Sequence, residues 1–158
     1  SLGIHGPEPV RGKVLLPANM LTGFGGIRDA TPDSWGRRVI EAKLKQPANS
    51  LTESQYLLHA GSDRVGALDV RATIQDEPTS PIGGVHLLEY LMEAAERIEA
   101  GHPIPANLEY IFVAGTALGG ARPKASVRDD AGSLWLAKFQ SKGDSGDQLA
   151  AGACRGVE

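Results

Sequence analysis

The second half of the chain contains an apolar stripe at helical spacing. Six apolar side chains recur on one face: Leu87, Leu88, Leu91, Met92, Ala95 and Ile98. This period predicts an amphipathic helix, and Gly101 supplies its expected end. Glu93 and Arg97 lie four residues apart on that helix, so their charges can pair. Because aromatic residues make up only 5% of the chain, aliphatic side chains must build most of the core.

Two helices and a strand are predicted in the first half. Residues 31–33 read Thr-Pro-Asp, which offers an N-cap, a proline at the first helical position and an acid in the first turn of a helix over about residues 32–45. Trp35 lies at helical spacing there and is interpreted as a core residue. Residues 50–53 have the spacing of a capping box for a second, short helix. Residues 67–74 alternate between apolar and polar types, which predicts a strand with one solvent-exposed face.

A β-hairpin is predicted near the carboxyl end of the chain. Val127 lies in one short strand and residues 134–139 lie in the other, while residues 129–132 supply turn chemistry between them. Lys138 is a charged residue within the otherwise apolar second strand. The whole pattern predicts an α+β protein with two subdomains, at residues 1–80 and 81–158.

Composition excludes several functional classes. The formal net charge is −3 and the basic residues are dispersed, so direct binding of nucleic acid is not expected. The longest apolar runs are far shorter than the roughly 20 residues that span a bilayer. The single cysteine, Cys154, excludes an internal disulfide and suits a reducing compartment, so a cytoplasmic location is expected. The four histidines lack metal-ligand spacing, and no metal site is predicted.

One segment has the composition of a phosphate-binding loop. Residues 113–124 read VAGTALGGARPK, with three glycines that allow backbone amides to converge on phosphate oxygens, and Lys124 or Arg122 could add positive charge. A lysine in a following strand, here Lys138, is the arrangement in which kinases cover and pair ATP phosphates. A structural turn and a solvated lysine at a strand edge are the competing interpretation.

The string GTALGGARPKASVRDDAGSLWLAKF at residues 115–139 resembles the glycine-rich loop and lysine strand of the HipA-type kinases. These are serine/threonine protein kinases best known as toxins of toxin–antitoxin pairs. DATPDSWGRRVIEAKL at 29–44 and SDRVGAL at 62–68 are similar to the amino-terminal subdomain of that family, in the same order. The resemblance implies a small-lobe-like second subdomain that holds ATP phosphates, with these candidate cofactor-binding residues: Thr116, Gly119, Gly120, Ala121, Lys124 and Lys138.

Two departures from the family pattern limit what the resemblance implies. Such kinases commonly have a serine where this chain has Ala117, and in some members that serine is the autophosphorylation site. Only 20 residues follow Lys138, so we expect the carboxy-terminal kinase lobe, with its catalytic and metal-binding aspartates, to be absent. No catalytic residue is therefore assigned, and ATP and magnesium are expected only in a complete kinase.

The sequence thus predicts the amino-terminal fragment of a HipA-like kinase, inactive alone, that contributes the phosphate-binding loop and lysine. The resemblance implies two partners, a helix-turn-helix antitoxin of the HipB type and a carboxy-terminal kinase lobe. The alternative is a stand-alone interaction module that binds an antitoxin or a separate kinase chain and regulates it. A degenerate remnant of a truncated gene, or a piece cut from a longer protein, would also have such a sequence.

Overall fold

The computed structural model describes residues 16–17, 23–64, 68–73, 75–78 and 87–141. Within these residues it combines helices with one two-stranded antiparallel sheet, which is the α+β class that the sequence predicts. The elements in chain order are α1 (Gly25–Ala30), α2 (Ser34–Leu44), α3 (Glu53–His59), α4 (Leu88–Glu99), a 3-10 helix (Ala106–Leu108), α5 (Ile111–Ala114), β1 (Lys124–Arg128) and β2 (Leu134–Lys138). Cys154, the chain after residue 141 and the predicted subdomain boundary near residue 80 lie outside the described residues. None of the described helices is long and apolar enough to cross a membrane.

The predicted helix over residues 32–45 is confirmed as α2, but its N-cap was predicted wrongly. Asp33 is the N-cap, and Thr31 instead ends α1, where its hydroxyl donates a hydrogen bond to the Ile27 carbonyl at 2.9 Å. Because that hydroxyl is engaged with the preceding turn, it does not cap the following one. Helix α2 ends at Leu44, and its C-cap is Lys45, whose φ of 53° is left-handed.

The second predicted helix is confirmed as α3, and its capping box lies two residues later than predicted. Thr52 and Gln55 form the box, with the Thr52 amide donating to Gln55 Oε1 at 2.9 Å. Ser50 instead donates its hydroxyl to the Pro47 carbonyl, and the Glu53 carboxylate binds the Arg37 guanidinium. Both residues of the predicted box therefore have other partners.

The predicted strand over residues 67–74 is wrong for its described part, residues 68–73, which contain no strand. The Asp76 carboxylate accepts from both the amide and the hydroxyl of Thr73, at 3.0 and 2.6 Å, and closes a turn there. Arg71 donates to Asp69 at 2.8 Å on the same stretch. Local side-chain bonds thus take the place of the ladder bonds that the alternating pattern suggested.

Helix α4 is confirmed and lies against the main core. Its buried residues are Leu91, Ala94, Ala95 and Ile98, whereas Met92, predicted within the stripe, is 46% exposed and lies off the buried face. Gly101 follows the helix at φ 69°, as expected for its end. The core cluster also takes buried residues from α2, the 3-10 helix, α5 and β1: Trp35, Val39, Leu108, Ile111, Ala114, Ala125 and Val127. Residues from both predicted subdomains therefore share this core.

The predicted hairpin is confirmed as β1 and β2. Val127 pairs with Trp135, and at the open end of the hairpin Lys124 pairs with Lys138. In the turn, the Asp129 carboxylate accepts from the amide of Ser133 at 2.8 Å and from the indole of Trp135 at 2.7 Å. Because side chains alternate along a strand, Lys124 and Lys138 share the face opposite to the buried Ala125 and Val127.

Candidate functional site

The glycine-rich loop joins α5 to β1 and lies against the amino-terminal end of α2. The Trp35 amide donates to the Gly120 carbonyl at 3.1 Å, and the Trp35 indole donates to the Lys124 carbonyl at 2.8 Å. A Cβ placed on Gly36 would lie 2.8 Å from the Thr116 carbonyl oxygen, so α2 and the loop approach closely only because residue 36 is glycine. The loop is therefore held in place by the core tryptophan and its neighbours.

The amide of Gly120 is already engaged by an acidic side chain. It donates to Asp33 Oδ2 at 2.6 Å, across 87 residues of sequence. Gly120 has a φ of 94°, the left-handed region in which glycine carries no steric cost. A Cβ on the neighbouring Gly119 would lie 3.1 Å from the same carboxylate oxygen. The backbone position predicted to face a phosphate thus faces a carboxylate in this structure.

Two lysines lie beside this part of the loop. Lys124 and Lys138 are direct partners across the hairpin, and the Lys124 ammonium donates to the Gly119 carbonyl. Burial lowers the pKa of the Lys124 ammonium, and the charge of Lys138 lowers it further, whereas Asp33 acts in the opposite direction. Like charges directly opposite each other destabilise a strand pair. An anion bound between the two lysines would therefore relieve the repulsion between their ammonium groups.

The other predicted site residues are placed differently. Thr116 is 1% exposed, and its hydroxyl accepts a hydrogen bond from the Gly61 amide at 3.0 Å, so its side chain fastens the loop to the chain after α3. Ala121 is exposed, next to Gly120. The structure therefore brings together Gly119, Gly120 and the two lysines, and it directs the Thr116 hydroxyl inward.

Sequence reasoning missed Asp33 as a member of this site. The sequence predicts an acid in the first turn of a helix, with Arg37 or Arg38 as its candidate partner. In the structure Asp33 is the N-cap of α2, but its side chain makes no capping bond to that helix. A carboxylate left free by its own helix can bind a distant group, and the sequence carries no signal for which group that is.

A second polar feature is an open cleft of about 440 Å³ between α1, α2 and α3. Its lining residues are Arg28, Thr31, Pro32, Asp33, Ser34, Arg37, Arg38, Glu41, Ala48, Asn49 and Glu53. Within it Arg37 binds both Glu53 oxygens, at 2.8 and 2.6 Å, and stacks 4.4 Å above the Tyr56 ring. Glu41 accepts from the Tyr56 hydroxyl at 2.5 Å. The described residues contain no group of three or more potential metal ligands, in this cleft or elsewhere.

Replacing Gly120 with alanine tests whether the loop needs its left-handed residue. We expect the free energy of unfolding to fall by about 1–2 kcal/mol because of the positive φ. The new Cβ would also lie 2.5 Å from Lys124 Nζ, so the lysine should leave the Gly119 carbonyl. Gly132→Ala is the matched control, because Gly132 has a φ of 82° and nothing within 4 Å of an added Cβ. Urea unfolding should show similar losses for both variants, while side-chain NMR should show a Lys124 shift only in Gly120→Ala. Unchanged stability of Gly120→Ala would contradict the assigned backbone conformation.

Comparison with known proteins gives this chain no family. No family model, curated protein or solved structure matches it. Its function must therefore be argued from the geometry of the loop, the two lysines and Asp33.

Proposed function

We propose that this chain binds the phosphate groups of ATP, as the amino-terminal part of a HipA-like serine/threonine kinase. The observation that carries the proposal is the direct pairing of Lys124 with Lys138 beside Gly119 and Gly120. Two cations facing each other next to a glycine-rich loop form an arrangement suited to a polyphosphate, which supplies the missing negative charge. The sequence resemblance supports the same ligand.

Each residue has a distinct part in the proposed binding. Gly120 would donate its amide to a phosphate oxygen once Asp33 releases it. This role is supported by the present contact, in which the same amide donates to an anionic oxygen, Asp33 Oδ2, at 2.6 Å. Lys138 is exposed and Lys124 is partly buried, so Lys138 would meet the phosphates first and Lys124 would hold them against the loop. Magnesium and the aspartates of phosphoryl transfer would come from the remainder of such a kinase.

A titration with inorganic tripolyphosphate and with ATP·Mg²⁺, followed by amide NMR, tests the proposal. We expect shifts at Gly119, Gly120 and β2 in the wild type, and affinity about tenfold weaker in Lys138→Gln because one charge-assisted contact is lost. Lys43→Gln is the control, because Lys43 is an exposed lysine in the last turn of α2, at the end away from the loop. Equal affinity of the wild type and Lys138→Gln would overturn the assignment of Lys138. Absence of binding to either ligand would overturn the proposal and favour the stand-alone interaction module.

A further inference from the structure

We infer that Asp33 penalises ligands of high negative charge at this loop, so that it weakens the binding of a metal-free triphosphate more than that of its metal complex. The inference rests on the proposed phosphate-binding function. Asp33 lies outside the glycine-rich loop in sequence, and its carboxylate binds the loop instead of capping its own helix.

The Asp33 carboxylate lies where a phosphate oxygen bound to the Gly120 amide would lie. Asp33 Oδ2 accepts from the Gly120 amide at 2.6 Å and lies 3.1 Å from the place of a Cβ on Gly119. Its charge also acts on Lys124, whose ammonium lies on the Gly119 carbonyl. A bound phosphate that uses the Gly120 amide must therefore displace this carboxylate or lie next to it.

The Asp33 side chain does not cap its own helix, α2. A capping aspartate normally accepts from an amide in the first turn, yet Asp33 makes no such side-chain bond. Two of the first amide donors of α2 have other acceptors, since Trp35 donates to the Gly120 carbonyl and Arg37 to the Asp33 carbonyl. The carboxylate thus binds the loop, and replacing its charge leaves the backbone hydrogen bonds of Trp35 and Arg37 in place.

The consequence is a selection by charge. Asp33 cancels part of the positive charge of Lys124 and Lys138. A ligand of high negative charge therefore gains less electrostatic binding free energy here than it would from the lysines alone. A metal-free triphosphate carries about twice the negative charge of its Mg²⁺ complex, so it is repelled by the carboxylate about twice as strongly. Asp33 therefore lowers the affinity of the metal-free triphosphate more than that of its Mg²⁺ complex.

The test compares two ligands and two charge-neutralising variants by isothermal titration. With tripolyphosphate in EDTA, Asp33→Asn should bind about tenfold more tightly than the wild type, and with its Mg²⁺ complex about threefold more tightly. Asp130→Asn is the control, because it removes the same charge from an exposed residue in the hairpin turn and should change neither affinity. Asp33→Ser, which keeps a capping side chain, should repeat the pattern of Asp33→Asn.

The outcomes separate the inference from the proposed function. Equal gains for both ligands, unchanged affinities or weaker binding in Asp33→Asn would overturn the charge selection, even if Lys138→Gln still loses affinity. In that case phosphate binding stands and the role of Asp33 does not. If neither ligand binds the wild type or Asp33→Asn, both the inference and the proposed function are overturned.

Discussion

Arg64→Met is expected to lower the free energy of unfolding by about 3–5 kcal/mol, because it removes a buried charge-assisted donor from several backbone carbonyls at once. The Arg64 side chain is only 2% exposed. Its guanidinium donates to these carbonyl oxygens: Ala30 at 3.1 Å, Leu57 at 2.7 Å, Ala60 at 3.0 Å, Gly61 at 2.9 Å and Val70 at 3.4 Å. Burial lowers the pKa of this guanidinium, and the charge of Asp69 opposes that shift. Arg64 therefore ties the ends of α1 and α3 to the chain that follows.

Urea unfolding followed by circular dichroism would measure this loss. Arg38→Met is the matched control, because it makes the same substitution at an exposed arginine of α2 and should change stability by less than about 0.5 kcal/mol. Arg64→Lys should lose most of what Arg64→Met loses, since an ammonium lacks the planar donors that reach several carbonyls. A loss in Arg64→Met no larger than in Arg38→Met would show that these carbonyls find water or other donors.

Helices α2, α3 and α4 and the hairpin could be predicted because their signals are local, whereas α1, the 3-10 helix and α5 were not predicted. The apolar stripe of α4 and the turn chemistry at Asp129 depend on residues within a few positions of one another. The helix starts were harder to place, because several hydroxyl side chains near each start can serve as caps. Thr31 and Ser50 both bind the preceding chain instead, and which hydroxyl does so depends on the path of the backbone.

The strand prediction at residues 67–74 failed for a related reason. An alternating pattern indicates a strand only if another strand pairs with it, and side-chain bonds can hold the same residues in turns. Here Thr73 donates to Asp76, and Arg71 donates to Asp69. The Arg64 guanidinium donates to the Val70 carbonyl. The pattern carried no information about these competing partners.

The candidate site was predicted in part. Gly119, Gly120 and the lysines are near each other in sequence, so the loop and hairpin bring them together by local geometry. The Asp33 carboxylate reaches Gly120 across 87 residues, and only the packing of α2 against the loop determines that contact. The family resemblance implies a ligand-binding role for Thr116, whereas in the structure its hydroxyl is buried and accepts a hydrogen bond from the Gly61 amide.

The second large effect is expected at Trp35, which links the core to the site. Its side chain is fully buried in the core cluster, and its indole donates to the Lys124 carbonyl at 2.8 Å. Trp35→Ala should lower the free energy of unfolding by about 3–5 kcal/mol, through the lost burial and the remaining cavity. Trp35→Phe keeps most of the apolar volume but leaves the Lys124 carbonyl without its donor, which should cost about 1–3 kcal/mol.

Trp135→Phe provides the comparison for the indole hydrogen bond. The Trp135 indole also donates at close range, at 2.7 Å, but to the Asp129 carboxylate in the hairpin turn, where water can replace it. We therefore expect Trp135→Phe to lose less stability than Trp35→Phe in urea unfolding. If Lys124 is held in position by this bond, Trp35→Phe should also weaken tripolyphosphate binding, whereas Trp135→Phe should not. Equal stability losses in the two variants would contradict the larger cost expected at the fully buried Trp35. Unchanged tripolyphosphate affinity in Trp35→Phe would show that Lys124 is positioned by the hairpin alone.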